Sequence, residues 1–97
     1  MDNTPDQDEF YKKLKVQLSE STIWPSEYLY KFIVISETSK ITQIESIFDN
    51  TGAVISTKES KNGKYTSVSI NVIMKNPDAV ISKYLEVTNN VEGVISL

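Results

Sequence analysis

The amino-acid sequence predicts an α+β domain in which two helices cover one face of a four-stranded antiparallel sheet, with one more helix ahead of them. Two observations carry this prediction. Two β-α-β patterns follow each other along the chain, and an Asn-Gly pair separates two strand-like segments between them. A length of 97 residues is typical of one domain.

The first residues of the chain are polar and acidic. Residues 1–7 offer little to bury, so we predict a disordered acidic tail there and one folded domain over residues 8–97. The chain has 10 basic and 13 acidic residues, which gives a net charge of −3. Four of the acids and none of the bases lie in residues 1–9, so residues 10–97 carry 10 − 9 = +1. The predicted domain is therefore nearly neutral.

A helix is predicted to begin at Asp8, where apolar residues start to recur every four positions. These residues are Phe10, Leu14 and Leu18. The helix is expected to end near residues 19–22. Trp24 precedes a proline soon afterwards, and the position before a proline disfavours helical backbone.

The first strand is predicted from Glu27 to Ser36, a segment dense in aromatic and β-branched residues. It is apolar on nearly both faces, which is typical of a central strand. Alternation places four side chains on one face, namely Tyr28, Tyr30, Phe32 and Val34. The opposite face carries Leu29, Lys31, Ile33 and Ile35.

A second helix is predicted from about Ser39, because apolar residues follow at spacings of three and four. These are Ile41, Ile44, Ile47 and Phe48. We expect the helix to end at residues 50–52, where Gly52 supplies the left-handed conformation of a helix cap.

A β-hairpin is predicted around Asn62-Gly63, between a second strand over residues 53–60 and a third over residues 64–75. A two-residue type I′ turn is expected, since that turn needs positive φ at both positions. Four apolar side chains of the third strand share one face: Val68, Ile70, Val72 and Met74. The other face receives Tyr65, Ser67, Ser69 and Asn71.

Asn76, Pro77 and Asp78 predict the start of a third helix. They supply an N-cap, a proline at the first helical position and an acid in the first turn. The apolar stripe of this helix is expected to comprise Val80, Ile81, Tyr84 and Leu85. The helix is predicted to end at residues 89–90, and a last strand is predicted over residues 91–97.

The order of elements is thus a helix followed by β-α-β-β-α-β. This is the split β-α-β pattern of a ferredoxin-like sandwich. Right-handed crossovers then put the first and third strands at the centre of the sheet, with both crossover helices on one face. The opposite face is left open.

The chain contains no Cys, no His and no Arg, so all ten basic residues are lysine. Disulfides, thiolate catalysis, Cys/His zinc sites and a Ser-His-Asp triad are thereby excluded. Without arginine the chain lacks the planar group that holds phosphate bidentately. No loop has the acidic spacing of a calcium or magnesium site. We therefore predict a non-enzymatic protein with no catalytic residue, no cofactor and no metal.

The N-terminal segment does not resemble a signal peptide, because residues 1–9 are polar and acidic and no long apolar segment follows. We therefore expect a cytoplasmic protein that has no membrane partner.

Two sets of residues resemble a known family. The hairpin pattern Ser60-x-x-Gly63-x-Tyr65-x-Ser67-Val68-Ser69-Ile70 is similar to the signature of the YbeD-like family of small uncharacterised bacterial proteins. Trp24-Pro25, followed by Tyr28-x-Tyr30-Lys31, resembles the start of that family's first strand. The resemblance covers residues 14–97. It implies a ferredoxin-like fold similar to ACT domains, which bind amino acids and control metabolic enzymes. The loop over residues 36–40 departs from the ACT pattern because it contains no glycine.

The open face of the predicted sheet is the first candidate site. On the first strand its side chains are more apolar than a solvated face requires, and large exposed apolar patches are uncommon on monomers. Three kinds of cover fit this pattern: the N-terminal helix folded back, a second copy of the chain, or a foreign partner or ligand.

The hairpin is the second candidate, because it carries lysines beside one aromatic residue. That is the minimum for gripping a nucleic-acid backbone and stacking a base. The residues are Lys58, Lys61, Lys64 and Tyr65. The negative net charge and the absence of arginine give a poor electrostatic footprint for nucleic acid. The alternative interpretation is a solvated hairpin whose lysines protect an edge strand from aggregation.

These observations predict a small regulatory or protein-interaction module that acts through the open sheet face or an edge strand. Its partner is expected to be an unidentified protein or a small metabolite, and a homodimer is one expected arrangement. The alternative function is binding of RNA or single-stranded nucleic acid through the hairpin. The candidate interaction surface comprises Lys31, Ile33, Lys61, Lys64, Tyr65, Ser67, Ser69 and Asn71.

Overall fold

A computed structural model describes residues 4–97, with side chains from residue 8 onward. The elements in chain order are α1 (Thr4–Ser21), β1 (Ser26–Ile35), α2 (Thr38–Ile47), β2 (Val54–Glu59), β3 (Tyr65–Met74), α3 (Pro77–Asn90) and β4 (Ile95–Ser96). The strands form one sheet in the order β2-β3-β1-β4, and each neighbouring pair is antiparallel. The predicted α+β class, with three helices and a four-stranded antiparallel sheet, is confirmed for these residues. As predicted, β1 and β3 are the central strands.

The hydrophobic core lies between the sheet and the helices. The alternation of β1 and β3 is confirmed, since seven of their apolar side chains are buried on the helix side. These are Tyr30, Phe32, Val34, Val68, Ile70, Val72 and Met74. Two helices meet them there, with Ile44 from α2 and Val80 from α3 fully buried. We call this side of the sheet the covered face and the other side the open face.

Helix α1 packs on the helix layer and not on the open face. The ring centroids of Tyr11 and Tyr84 of α3 are 6.1 Å apart, and Leu14 packs against the core. The indole N–H of Trp24 donates to the carbonyl oxygen of Leu18 at 3.1 Å, which anchors the end of the helix. Of the three covers considered for the open face, the N-terminal helix is therefore ruled out.

The start of α1 differs from the prediction. The helix begins at Thr4, not Asp8, so it includes residues 4–7 of the predicted tail. Pro5 lies in the first turn, where a helix does not use the N–H that proline lacks. Residues 1–3 of the predicted tail lie outside the described part of the chain.

The hairpin between β2 and β3 is confirmed, but its predicted two-residue type I′ turn is wrong. Gly63 has a φ of 76°, whereas Asn62 does not adopt positive φ. The turn is longer, with the N–H of Gly63 donating to the carbonyl of Ser60 at 2.8 Å. The side-chain oxygen of Asn62 accepts from the N–H of Lys64 at 3.0 Å. Asn62 therefore stabilises the turn through its side chain.

Helix α2 ends at Ile47, a few residues before the predicted cap at residues 50–52. The chain leaves the helix through a turn in which Asn50 and Gly52 have φ values of 63° and 78°. The terminal carbonyl of Ile47 accepts from the ammonium of Lys83 at 2.6 Å. A lysine from α3 thus satisfies a helix end that the local sequence leaves open.

The start of α3 is confirmed, because the side-chain oxygen of Asn76 accepts from the N–H of Ala79 at 2.8 Å. The predicted stripe is correct for Val80 and Tyr84 but wrong for Leu85, which is exposed. Val87 is buried in its place, and Leu85 faces α1. The sequence pattern could not show that Val87 is buried and Leu85 is not, because α3 packs against α1 as well as against the sheet.

The last strand is shorter than the predicted span of residues 91–97, since β4 covers only Ile95–Ser96. Val91 is buried, and its N–H still donates to the carbonyl of Val87 at the end of α3. Gly93 then turns the chain with a φ of 74°. Residues 91–94, which were predicted as strand, therefore form the connection between α3 and β4.

Candidate functional site

The open face is built from alternate residues of four strands. The cross-strand register places Leu29 beside Asn71 of β3, and Asn71 beside Val54 of β2. Directly opposed residues in a sheet share a face, so each such set forms a row across the strands. The next row contains Lys31, Ser69 and Ser56. A further row contains Ile33, Ser67 and Lys58, with Ile95 of β4 beside Ile33.

Large apolar side chains are exposed on this face. Leu29 is 60% exposed, Val54 72% and Ile73 68%, whereas Tyr30 and Phe32 on the covered face have no exposure. Ile35 and Ile95 are also exposed. The open face therefore holds apolar area on each of its four strands, and no other described element covers it.

Small polar residues lie beside these apolar ones. Ser56, Ser67 and Ser69 occupy adjacent positions of β2 and β3, next to the longer side chains of β1. On the open face, β1 thus carries long side chains, whereas the neighbouring positions of β2 and β3 carry short serine side chains.

A hollow of about 190 Å³ lies at the hairpin end of the open face. Its lining residues are Ile33, Lys58, Glu59, Ser60, Tyr65 and Ser67. The ammonium of Lys64 lies 5.6 Å from the centroid of the Tyr65 ring, which is a cation–π contact. One side of the single aromatic ring on this face is therefore already in contact with a lysine of the same chain.

The structure brings together six of the eight predicted interaction residues. Lys31, Ile33, Tyr65, Ser67, Ser69 and Asn71 lie on the open face. Lys61 and Lys64 lie in the turn beside it, and both are exposed.

Five residues of this face were missed: Glu27, Val54, Ser56, Ile73 and Ile95. Alternation along the predicted strands could have found Glu27 and Ile73, since they share the parity of Leu29 and Tyr65. Val54, Ser56 and Ile95 required the register of the edge strands, which no local pattern gives.

The tyrosines of the covered face are held in hydrogen bonds. The hydroxyl of Tyr30 donates to the carbonyl of Val80 at 2.9 Å, and the hydroxyls of Tyr28 and Tyr84 are 2.8 Å apart. Burial raises the pKa of Tyr30 and of Tyr84 well above the ordinary value of 10.0, because a charged phenolate would lose its hydration there. Both groups are neutral at physiological pH and serve the packing of α3 on the sheet.

Residues 8–97, whose side chains the structure describes, contain no cluster of three acidic side chains arranged to hold a metal ion. Over residues 4–97, none of the helices combines the length and the apolar character needed to cross a membrane.

Comparison with known proteins gives one match. A family model described as "Protein of unknown function (DUF493)" matches residues 19–95, which include β1, β2, β3, α2, α3 and the first residue of β4. The match begins at Ser19, so most of α1 lies before it. Searches of curated proteins and of solved structures found no significant match. The predicted membership in the YbeD-like family is thereby confirmed, and the chain belongs to the DUF493 family of proteins of unknown function.

Proposed function

We propose that the protein is a cytoplasmic, non-enzymatic regulatory or protein-interaction module that binds a partner protein through its open face. The observation that carries this proposal is the exposure of large apolar side chains on every strand of that face. Contiguous apolar patches of this kind mark interaction sites more often than solvated surface. The charges available there are few, so the expected binding depends on apolar contact more than on ionic strength.

The proposal includes assignment of the domain to the ferredoxin-like class. The order β2-β3-β1-β4, with antiparallel neighbours and both crossover helices over one face, supports it. The resemblance to ACT domains supports a regulatory role. A small metabolite is the alternative ligand, and the loop over residues 36–40 does not favour it in the ACT manner because it lacks glycine.

The hairpin half of the open face is the proposed contact for the partner. It comprises Ile33, Ile35, Tyr65 and Ser67, together with the hollow beside Lys58. Ile35 and Tyr65 oppose each other in the register and are 49% and 40% exposed. A partner side chain that enters the hollow would contact Tyr65, and Ile35 lies directly beside that residue on β1.

The experiment is affinity capture from an extract of the native organism, with wild type compared with Ile35→Glu and Val16→Glu. Val16 is a matched control because it is 54% exposed on α1, away from the sheet. We expect a partner protein that survives nuclease and high salt, is lost with Ile35→Glu, and is retained with Val16→Glu. Circular dichroism checks that each variant is folded. Retention of every partner by both Ile35→Glu and Ile33→Glu would contradict the proposal.

Binding of RNA or single-stranded nucleic acid is the second candidate. Exposed Lys58, Lys61 and Lys64 around Tyr65 favour it, although Lys64 already contacts the ring that a base would need. This function predicts capture that is sensitive to nuclease and weakens steeply with salt. It also predicts loss of binding when Lys61 and Lys64 are both changed to Glu, whereas the protein-interaction proposal predicts little change.

A further inference from the structure

The half of the open face farthest from the hairpin has an unusual symmetry. Its centre is the row that contains Leu29, Asn71 and Val54. Along β1, Glu27 lies two residues before Leu29 and Lys31 lies two residues after it, and both share its face. Opposite charges therefore lie at equal distances, about 7 Å, on either side of an apolar position.

We propose that a second copy of the chain docks on this half of the open face, with a two-fold axis along the row of Leu29, Asn71 and Val54. The axis lies between the two sheets and runs across the strands. Each strand then lies over the same strand of the second copy, in the opposite direction. Leu29 faces Leu29, and Lys31 faces Glu27 of the second copy.

Charge complementarity selects a second copy over other occupants. The two-fold rotation exchanges the positions of Glu27 and Lys31, so the dimer contains two such ion pairs and no like-charged contact between these residues. Both side chains are exposed. β4 pairs with β1 at Phe32 and Ile33, and the N–H of Leu97 donates to the carbonyl of Lys31 at 2.9 Å, so the pairing on that side of β1 stops before Glu27. The ion pairs would therefore lie near the rim of the interface, where water access keeps the cost of desolvation low.

The apolar residues are complementary under the same rotation. Ile73, which is 68% exposed, faces Ser69 of the second copy, so a large side chain meets a small one. A hollow of about 290 Å³ lies beside the central row, lined by Glu27, Gly52, Val54, Asn71, Val72 and Ile73. Val54 of the second copy lies opposite this hollow.

The area involved indicates how stable the dimer should be. Three strands about 4.8 Å apart and three rows about 7 Å apart give a flat contact of about 300 Å² on each copy. A standard interface buries about 800 Å² on each partner. We therefore expect a weak dimer that exchanges with monomer at micromolar concentrations.

The inference deepens the proposed function, because it assigns one half of the same face to self-association and leaves the hairpin half free. The two claims fail separately. Self-association is measured on the purified full chain alone, whereas the proposed function is tested with a partner and with Ile35→Glu. A monomeric protein could still bind a partner, and a dimeric protein could fail to do so.

The test is sedimentation velocity of the purified chain from about 1 μM to about 1 mM. We expect the average mass to rise from monomer to dimer over this range. Glu27→Lys and Lys31→Glu should each weaken dimerisation about tenfold or more, because each brings like charges together twice. Lys58→Glu makes the same charge change outside the three paired rows and should leave dimerisation unchanged.

Mixing the two single variants gives the decisive result. In a heterodimer of Glu27→Lys with Lys31→Glu, each facing pair again has opposite charges, so association should return to about the wild-type strength. A chain that carries both changes should also dimerise. A monomer at every concentration would overturn the proposal, as would a mixture that associates no better than each variant alone.

Discussion

The two faces of strand β1 have similar apolar content but different surroundings. On the covered face, Tyr30 and Phe32 have no exposure and are packed against helices. On the open face, Leu29 and Ile35 are 60% and 49% exposed. The comparison teaches that hydrophobicity alone does not identify the core side of a central strand, because the position of the crossover helices decides it.

The faces also differ in how their polar groups are used. On the covered face, the hydroxyl of Tyr30 is bonded to the backbone of α3 and the hydroxyls of Tyr28 and Tyr84 bond to each other. Ring centroids of Tyr30 and Tyr84 are 4.9 Å apart in an edge-to-face contact. On the open face, the serines and Lys31 lie beside exposed apolar groups. The tyrosine hydroxyls of the covered face are thus fixed by internal contacts, whereas Lys31 of the open face is exposed.

The largest expected effect comes from truncating the two faces of β1 and comparing the results. Phe32→Ala should lower the free energy of unfolding by about 3–5 kcal/mol, because it leaves a cavity in the core. Leu29→Ala should change it by less than about 0.5 kcal/mol in dilute solution. Urea denaturation measures both values. Equal losses for the two variants would show that the open face is covered within the monomer.

The second-largest effect is expected at alkaline pH, which should lower the free energy of unfolding through the tyrosines of the covered face. Since burial raises the folded pKa of Tyr30 and Tyr84, the folded state holds these protons after the unfolded chain has lost them near pH 10. Stability is therefore fully present below pH 10 and falls above it, by up to about 1.4 kcal/mol per pH unit for each tyrosine. Urea midpoints measured from pH 8 to pH 12 test this. Tyr84→Phe should reduce the slope, and equal slopes for both proteins would contradict the assignment.

A smaller effect is expected at the N-cap of α3, which holds part of the helix layer. Asn76→Ala should cost about 1 kcal/mol, because the N–H of Ala79 loses its side-chain acceptor. Asn71→Ala on the open face is the matched control and should cost less than about 0.5 kcal/mol in dilute solution. Thermal or urea unfolding distinguishes the two. The cap assignment would be wrong if both changes had the same cost.

The smallest effect is expected for the ion pair that links α1 to α3. The ammonium of Lys15 and the carboxylate of Asp78 are 2.9 Å apart, and both side chains are largely exposed. A double-mutant cycle with Lys15→Ala and Asp78→Ala should give a coupling energy of about 0.2–0.5 kcal/mol, which salt reduces. A coupling above about 1 kcal/mol would show that the pair, more than Tyr11 and Leu14, holds α1 in place.

Much of the fold could be predicted because the residue pattern within single helices and strands was enough to identify them. The alternation in β3 and the Asn76 cap each depend on residues within one element, and both are correct. The candidate site was predicted where alternation sufficed, as for Lys31 and Ser69. Val54 could not be predicted as part of it, because its place on the open face follows from pairing with Asn71 seventeen residues later.

The wrong details share one cause, which is competition from distant contacts. Leu85 has the spacing of a core residue, yet Val87 takes that position because the sheet and α1 approach α3 from different sides. Val91 was predicted to lie in a strand, but it follows the end of α3 and its side chain is buried in the core. When two elements pack on one helix from different sides, the local sequence pattern does not show which of its apolar residues is buried more deeply.

The sequence by itself determined the order of the elements, which side chains of β1 and of β3 share a face, and the exclusion of Cys- and His-based chemistry. These depend on residue types and on periods of two and 3.6 residues, which are local properties. Only the tertiary structure decided that α1 packs on the helix layer, that the open face stays uncovered in the monomer, and that Glu27 and Lys31 flank an exposed apolar row. Those features depend on which surfaces meet, and that is decided by the whole core.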